Sequence, residues 1–270
     1  MPELPEVEVI IRKLRKKIIN CCVKKIDIFY NNIIKNIDFF YQIVDKVFLD
    51  IQRKGKFLLF FLSDDLVLVG HLRMEGKIYL NSHEECRFRH LHEHFRIHLD
   101  NGLILRYYDF RKFGRFAIYY RKNYLEESKL YQLAPDPFEI SLEMFYQKIK
   151  KKSTSIKTVL LDQKIISGIG NIYASEILFL SKIHPEISVN TLSKEKILVL
   201  LNKTREVLIK AINLGGTSIS SFEALGQKGS YQKELLVYRK ANEPCCFCQK
   251  NIQKKKISGR STYFCIQCQK

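Results

Sequence analysis

The sequence predicts an α+β chain of more than one domain, and three observations lead to this prediction. Short strand-like runs separated by turn signals occupy the first part of the chain. After Ala134-Pro135-Asp136-Pro137 the apolar residues recur at helical spacing instead. Residues 245–268 hold five of the eight cysteines of this 270-residue chain. We therefore expect a β-rich domain, a helical domain and a small cysteine-rich module.

The first predicted element is a helix that runs from Pro5 to about Ile19. Its apolar residues recur at helical spacing: Val7, Ile10, Ile11, Leu14 and Ile18. Proline suits the first turn of a helix, and acidic residues suit its positive end. The opening residues therefore have a purely structural interpretation as a helix start.

The same opening residues also offer a nucleophile. If Met1 is removed, Pro2 becomes a free secondary amine, and Glu3 and Glu6 follow within one helical turn. An amino terminus has an ordinary pKa of about 7.7–8.0, so part of it is neutral near pH 7. Attack of such an amine on a sugar or carbonyl carbon gives an iminium ion, which is a route of covalent catalysis. We expect the active chain to begin at Pro2.

Strand-like runs follow the helix and predict an antiparallel sandwich or barrel. Residues typical of turns separate several of the runs, as at Asp100-Asn101-Gly102. The runs are Val23–Phe29, Val47–Ile51, Phe57–Leu62, Leu66–Val69, Lys77–Leu80, His94–Leu99, Leu103–Tyr108 and Arg115–Tyr120.

Helical periodicity replaces the strand pattern after the proline-rich linker. Ser193 is a suitable N-cap for the last helix, and Gly215-Gly216 ends it. A loop rich in glycine and serine then covers 215–230. The predicted helices are Ser141–Lys151, Ile156–Leu161, Ile172–Ile183 and Lys194–Asn213.

The charge of the chain indicates a polyanionic partner. The sequence has 46 Lys and Arg against 28 Asp and Glu, a formal net charge of +18. Nucleic acid is the leading candidate, and a general lysine bias of the proteome is the alternative. We find no apolar run of about 18 residues and no signal-peptide pattern, so we expect a cytoplasmic protein without a membrane partner.

The clustered cysteines predict a zinc site. Cys245 and Cys248 form one Cys-x2-Cys knuckle, and Cys265 and Cys268 form a second. Such spacing brings four thiolates around one tetrahedral Zn²⁺, and a closed shell of four ligands makes the ion structural. Cys246 offers a second register, which is the less favoured one. The intervening basic residues either contact phosphates or form a solvated face: Lys254, Lys255, Lys256 and Arg260.

A glycine-containing turn marks the middle of the helical region. Gly168-Ile169-Gly170-Asn171 leads into a predicted helix, whose first N–H groups attract phosphate. An ordinary turn between two helices explains the same residues equally well.

Taken together, five motifs resemble the formamidopyrimidine-DNA glycosylase family over the whole chain. They are Pro2–Glu8, Leu105–Gly114, Leu160–Gln163, Gly168–Ala174 and the four-cysteine finger. The resemblance implies an N-terminal antiparallel β-sandwich flanked by helices over 1–133, a helix–two-turn–helix DNA-binding domain over 134–234 and a β-hairpin zinc finger over 235–270. It further implies a nucleoid-associated monomer that acts on damaged double-stranded DNA, with one structural Zn²⁺ and no organic cofactor.

The resemblance assigns the catalytic residues. Pro2 resembles the nucleophile that attacks C1′ of the damaged nucleotide, and Glu3 the acid/base that assists opening of the sugar ring. Glu6 is similar to a second buried carboxylate, and Lys56 to a lysine that contacts DNA near the lesion. The activity so implied is that of a bifunctional base-excision repair enzyme, a glycosylase for 8-oxoguanine and formamidopyrimidines and a lyase that cleaves by β,δ-elimination.

DNA contacts are implied by the same matching. Met74, Arg111 and Phe113 resemble residues that fill the void left by an everted base, although Met74 and Phe113 would otherwise be read as core residues. Phosphate contacts are expected from His92, Lys157, Asn171 and Arg260. His90, His92 and His94 alternate along one predicted strand, and we reject a second metal site there.

Two other functions remain open from the sequence. One is the endonuclease VIII-like activity on oxidised pyrimidines, against which Leu4 argues, since that branch has glycine there. The other is a zinc-finger protein that binds DNA without catalysis, against which Pro2, Glu3 and Lys56 argue. The sequence departs from the family pattern at two places: Phe110 stands where the family often has proline, and the loop at Ser218–Gly229 diverges. This loop resembles the one that closes over the everted base, so its sequence bears on lesion preference.

Overall fold

A computed structural model of the chain describes residues 1–82, 85, 89–219 and 222–270. Packing divides the chain into two compact units, Met1–Tyr131 with Gly215–Ser230, and Gln132–Leu214 with Tyr231–Lys270. The cysteine module thus belongs to the same packing unit as the helices. The boundaries expected from the sequence, at 133/134 and 234/235, stay a prediction about functional domains.

The first unit contains the predicted helix and all the predicted strands, each within a few residues of its expected bounds. The short elements Ile34–Lys35, Ile37–Phe40 and Tyr124–Glu127 were not predicted, because they are too short to produce a periodic pattern. In chain order the elements are α1 (Leu4–Ile18), β1 (Val23–Ile28), β2 (Ile34–Lys35), α2 (Ile37–Phe40), β3 (Phe48–Lys54), β4 (Phe57–Leu62), β5 (Leu66–His71), β6 (Lys77–Ser82), β7 (Glu93–Leu99), β8 (Leu103–Tyr108), β9 (Arg115–Tyr120) and α3 (Tyr124–Glu127).

The strands form two sheets, which confirms the sandwich rather than the barrel. One sheet has the order β1-β7-β8-β6 and the other β2-β9-β5-β4-β3. All pairs are antiparallel except β2 with β9, which is parallel. Aromatic rings from both sheets meet in the core, where Phe116 lies 4.9 Å from Phe95 and 4.6 Å from Tyr107 between ring centroids. Helix α1 packs against β3 and presents its buried face to that sheet.

The second unit contains four predicted helices and a hairpin. These are α4 (Leu142–Ile149), α5 (Ile156–Leu161), α6 (Asn171–Leu180), α7 (Lys194–Asn213), β10 (Gln253–Ile257) and β11 (Arg260–Phe264). Serine hydroxyls cap α4, α5 and α7, and Ser193 accepts the N–H of Lys196 as predicted. Among the described residues, none of the helices combines the length and apolar composition that a membrane crossing requires.

The cysteine module does not stand on a core of its own. Cys245, Cys265 and Ile252 are buried in one cluster with Phe179 of α6 and Val237. The strands β10 and β11 pair antiparallel, and Lys254, Lys255 and Lys256 are exposed along β10. Helix α6 therefore anchors a basic hairpin.

Candidate functional site

The amino-terminal residues lie in a buried site built around one carboxylate. Pro2 and Glu3 are buried, and Glu6 is 1% exposed. One oxygen of Glu6 accepts the backbone N–H of Glu3 at 2.8 Å, and the other accepts that of Thr217 at 2.7 Å. A Cβ at Gly216, where φ is +80°, would lie 3.0 Å from Glu6 Oε1. Glycine thus lets the 215–230 segment close on the amino terminus.

Charged groups of both signs surround the amino terminus. Burial lowers the pKa of the Met1 amino group below its ordinary value, and Lys56 lowers it further, whereas Glu3, Glu6 and Glu75 raise it. Lys56 is buried in the turn between β3 and β4. The structure therefore brings Pro2, Glu3, Glu6 and Lys56 together. Desolvation of this kind favours a neutral and nucleophilic amine.

His71 lies close to Lys56 at the end of β5. Burial lowers the pKa of His71 to about 3, and the charges of Arg73 and Lys56 act in the same direction. Its Nδ1 accepts the backbone N–H of Arg73 at 2.9 Å. His71 is therefore neutral at physiological pH and does not compete with Lys56 for an anion.

Met74, Arg111 and Phe113 are on two loops rather than in the core. Met74 is half-buried in the turn between β5 and β6, and Phe113 is 44% exposed between β8 and β9. The guanidinium carbon of Arg111 lies 4.6 Å from the ring centroid of Phe113, a cation–π distance. Their exposure argues against the interpretation as core residues.

His92 precedes β7 and does not belong to it. Strand β7 begins at Glu93, so the expectation that His90, His92 and His94 alternate along one strand is wrong. The ring of His92 is half-buried, with its centroid 4.8 Å from that of the exposed Phe110. His94 is buried, and its Nε2 is 2.7 Å from the carbonyl oxygen of Asp109, so this nitrogen donates the hydrogen bond.

A buried ion cluster supports this part of the sheet. Both Arg96 and Arg106 donate to the two oxygens of Glu93, at distances of 2.5–2.8 Å. Burial by itself would raise the pKa of Glu93, but the two arginines lower it to about 2. A cavity of about 450 Å³ lies beside the cluster. Its lining includes Lys77, Tyr79, His92, Arg106, Tyr108 and Phe110.

Four cysteines have the arrangement that a tetrahedral metal site requires. The Sγ atoms of Cys245, Cys248, Cys265 and Cys268 all lie within 4.8 Å of one another. Cys245 is 3.8 Å from Cys268, and Cys248 is 3.4 Å from Cys265, between sulfurs. Zn–S bonds of about 2.3 Å place tetrahedral sulfurs about 3.8 Å apart, so the four residues fit a metal ion. Cys246 is exposed and outside this group, which confirms the favoured register.

The remaining predicted phosphate ligands lie in the second unit and differ in access. Arg260 is exposed at the start of β11, directly after the turn at Ser258-Gly259. Asn171 is half-buried at the start of α6, and its Nδ2 donates to the carbonyl of Ser261 at 2.8 Å. Lys157 is 0% exposed, and its ammonium donates to Ser175 Oγ at 3.2 Å. A phosphate contact from Lys157 stays a prediction, whereas its position supports α6.

Several well-placed carboxylates were not expected from the sequence. Glu75 acts on the amino terminus, and Asp109 is buried among backbone N–H groups of the following loop. In the second unit, Glu176 accepts the N–H groups of Leu236, Val237 and Tyr238. The role of Glu176 depends on residues about 60 positions away, which the sequence does not indicate. The partners of Asp109 are two to five residues away, so its position before a turn was the available signal.

Comparison with known proteins gives matches over nearly the whole chain. Residues 1–116 match the family model described as the formamidopyrimidine-DNA glycosylase N-terminal domain, and 133–223 match the formamidopyrimidine-DNA glycosylase H2TH domain. A formamidopyrimidine-DNA glycosylase of Mycoplasma mobile is 42% identical over 100% of this chain and 99% of its own length.

Solved structures give the same result. A Lactococcus lactis FPG mutant in complex with DNA containing Fapy-dG has a TM-score of 0.93 and 38% identity, with 99% of both chains covered. A complex of the wild-type Lactococcus lactis protein with DNA containing an oxidised pyrimidine has a TM-score of 0.91 and 37% identity, again with 99% of each chain covered.

Proposed function

Since the chain belongs to the formamidopyrimidine-DNA glycosylase family, whose members are DNA repair glycosylases, we propose that it removes oxidised purines from duplex DNA and then cleaves the abasic strand. Its substrates would be 8-oxoguanine and formamidopyrimidines. The observation that carries the proposal is the buried Pro2, which would become the chain terminus on removal of Met1, with Glu3, Glu6 and Lys56 around it. We further propose that it acts as a monomer on damaged DNA at the bacterial nucleoid, in the cytoplasm.

The proposed reaction begins with the amine of Pro2 after removal of Met1. Its nitrogen forms a bond to C1′ of the damaged nucleotide as the bond from C1′ to the base breaks, and the base leaves with the proton that the attacking nitrogen gives up. Glu3 donates a proton to the ring oxygen as the sugar opens, which leaves a cationic iminium. Burial lowers the pKa of the Met1 amine, and the adjacent Pro2 is itself buried, so we expect the Pro2 amine to be desolvated in the same way, which favours the neutral form that attacks.

Strand cleavage then follows from the electron demand of the iminium. The cation acidifies the C2′ proton, and its removal expels the 3′ phosphate by β-elimination. A second elimination releases the 5′ phosphate. The product is a one-nucleotide gap with phosphates at both ends. Glu6 holds the backbone of Glu3 through this sequence and remains a hydrogen-bond acceptor rather than a proton donor.

Access to C1′ requires that the damaged base leave the stack. Met74 and Phe113 would enter the vacated space, and Arg111 would pair with the orphaned cytosine. The exposure of Phe113 and the pairing of Arg111 with its ring support this role, because the two side chains are already presented together. Lys56 would contact the DNA near the lesion. His92, Asn171 and Arg260 would contact phosphates, as would Lys157 if it became exposed.

The four cysteines would hold one structural Zn²⁺. Thiolate ligands and sulfur separations near 3.4–3.8 Å suit zinc, and four sulfurs leave no position for substrate. The ion would stabilise the hairpin that presents Arg260.

A second candidate activity has a specific observation behind it. The related Lactococcus lactis protein has been crystallised with DNA containing an oxidised pyrimidine. Incision of duplexes with 8-oxoguanine opposite cytosine should be compared with incision of duplexes with thymine glycol. Faster incision of 8-oxoguanine is expected, and a preference for thymine glycol would assign the endonuclease VIII-like activity instead.

Borohydride trapping tests the proposed mechanism. Only an enzyme that forms an iminium gives a reducible covalent complex with damaged DNA, which a non-catalytic DNA-binding protein does not. Protein that begins at Pro2 should be trapped, whereas Pro2→Gly should lose most trapping and keep much of its DNA affinity. Absence of an adduct with an authentic Pro2 terminus would refute the mechanism.

A further inference from the structure

The three proposed void-filling residues lie on two loops that meet at one hydroxyl group. The first loop, residues 72–76, carries Met74, and the second, residues 110–114, carries Arg111 and Phe113. Each loop ends in a glycine, Gly76 or Gly114. Both glycines face the side chain of Tyr107, which is 0% exposed in β8.

The approach to the Tyr107 hydroxyl is too close for any residue but glycine. A Cβ at Gly76 would lie 2.5 Å from Tyr107 Oη, and a Cβ at Gly114 would lie 1.8 Å from it. The N–H of Gly76 donates to the carbonyl of Leu72 at 3.0 Å, which closes the first loop over the hydroxyl. The position of Tyr107 therefore fixes how near the two loops come.

The carboxylate of Asp109 accepts hydrogen bonds from backbone N–H groups of the second loop. The carboxylate is 1% exposed; Oδ1 accepts the N–H of Arg111 at 3.0 Å, and Oδ2 accepts those of Phe113 and Gly114, each at 2.8 Å. The hydroxyl of Tyr107 donates to Oδ2 at 3.2 Å. Burial and the Asp109 carboxylate raise the pKa of Tyr107, so the hydroxyl keeps the proton that it donates.

The main chain of Asp109 extends the same connection to the preceding histidines. Its N–H donates to the carbonyl of His92 at 3.1 Å, and its carbonyl accepts from the ring of His94 at 2.7 Å. One residue thus holds both the segment with the proposed phosphate ligand His92 and the loop with Arg111 and Phe113.

We propose that Tyr107 and Asp109 are positioning residues, which act through Met74, Arg111 and Phe113 and set the geometry with which these side chains replace an everted base. The inference rests on the proposed function. Neither residue contacts DNA in this role. Asp109 fixes where the second loop leaves the sheet, and Tyr107 fixes its distance from the first loop.

Conservative substitutions at the two positions would loosen the loops without removing a void-filling side chain. In Asp109→Asn, one acceptor oxygen becomes an NH2 group, so at least one loop N–H loses its partner. Tyr107→Phe removes only the hydroxyl that lies between the two glycines. Asp27→Asn is a matched control, since Asp27 is a carboxylate of the same sheet that contacts His98 at 2.7 Å.

The test compares two substrates under single-turnover conditions, with 8-oxoguanine opposite either cytosine or a tetrahydrofuran abasic analogue. Only the first substrate offers an orphaned base to Arg111. The ratio of excision rates, cytosine over tetrahydrofuran, should fall about tenfold in Asp109→Asn and about threefold in Tyr107→Phe. Partial unfolding lowers both rates equally and leaves the ratio unchanged. Arg111→Ala should lower the ratio, and Asp27→Asn should not.

The outcomes separate this inference from the proposed function. If Arg111→Ala lowers the ratio and Asp109→Asn leaves it at the wild-type value, the positioning role is wrong. If Arg111→Ala leaves the ratio unchanged, Arg111 does not pair with the orphaned cytosine, and the positioning role proposed for Tyr107 and Asp109 is refuted as well. Loss of borohydride trapping in the protein that begins at Pro2 would instead refute the proposed function. Amide hydrogen exchange at Arg111, Phe113 and Gly114 should be faster in Asp109→Asn whatever the effect on activity. Unchanged exchange would show that Asp109 does not hold the second loop.

Discussion

The amino terminus and Lys56 illustrate how single charges set reactivity. Burial and Lys56 both lower the pKa of the Met1 amino group, while Glu3, Glu6 and Glu75 oppose them. The same charges would act on the amine of Pro2 once Met1 is removed. Since only the neutral amine is a nucleophile, its reactive fraction would rise as pH increases through its pKa, and a lower pKa would extend the proposed activity towards acidic pH.

Replacement of Lys56 by methionine should shift the acidic limb of the pH–rate profile towards higher pH. The change removes a positive charge and so raises the pKa of the amine, and the loss of a DNA contact should also slow the reaction. The measurement is the pH dependence of single-turnover trapping in protein that begins at Pro2. Lys54→Met on the same hairpin is the control, and an unshifted limb in Lys56→Met would contradict the assigned electrostatic role.

Sequence motifs predicted the residues around the amino terminus, but they did not predict the hydrogen-bond partners of these residues. Glu6 was expected as a buried carboxylate, whereas its bond to Thr217 joins residues 211 positions apart and depends on tertiary packing. Asp109 lies inside a motif noted from the sequence, yet only the folded loop shows its three N–H partners. Lys157 was expected to contact phosphate and is fully buried.

Among the elements, the hairpin of β10 and β11 depends most on a single site. Of the four cysteines that flank it, Cys245 and Cys265 are buried with Phe179 of α6 and with Val237, so the proposed metal ion and a few apolar contacts would hold the hairpin in place. A module this small gains much of its folding free energy from metal binding. Loss of the ion should therefore also disturb the packing of α6, because Phe179 belongs to the same buried cluster.

Cys265→Ser should remove the bound metal and disorder the hairpin. We expect metal content to fall from one ion per chain to near zero and DNA affinity to weaken by about tenfold or more, because the basic hairpin is no longer held. Metal analysis and a binding titration measure these effects. Cys246→Ser, at the exposed cysteine outside the cluster, should change neither, and normal values for Cys265→Ser would refute the ligand set.

Helix α1 was predicted from periodicity because it has one buried face. Strands β4, β5 and β7 are buried on both faces, so they were predicted instead as short apolar runs bounded by turn signals. The bounds agree within a few residues. Strand β2 has two residues and pairs in parallel with β9, which no local pattern can indicate. The alternation of histidines was misleading, because the first two belong to the turn before β7.

For the whole molecule, the net charge of +18 predicts binding that depends strongly on salt. Each phosphate neutralised by a cation releases condensed counterions, so the logarithm of affinity falls with the logarithm of salt concentration. The exposed cations of the second unit include Arg260 and the lysines of β10.

Arg260→Gln should lower the slope of this salt dependence by about 1 and weaken binding to damaged and undamaged duplexes alike. Lys203→Gln on α7 is the control, since Lys203 is paired with Glu206 at 2.7 Å. Titrations over a series of salt concentrations give the slope. An Arg260→Gln slope equal to that of the wild type would exclude a phosphate contact from this residue.

The linker at 134–137 was visible in the sequence, because a change of periodicity coincides with two prolines. The return of residues 215–230 to the first unit was not visible, because packing partners and not local composition determine it. Glycine and serine in that segment indicate a loop and leave its location undetermined.

Because residues 215–230 pack with the first unit, that unit is completed late in the synthesis of the protein. A ribosome releases the strands of the first unit long before residues 215–230 emerge, and domains generally fold as they are released. Until then the nascent sandwich lacks the N–H of Thr217, and Glu6 holds the amino terminus without that partner. The end of the chain that carries the proposed nucleophile is made first, and its surroundings are completed only after the helices α4–α7 have left the ribosome.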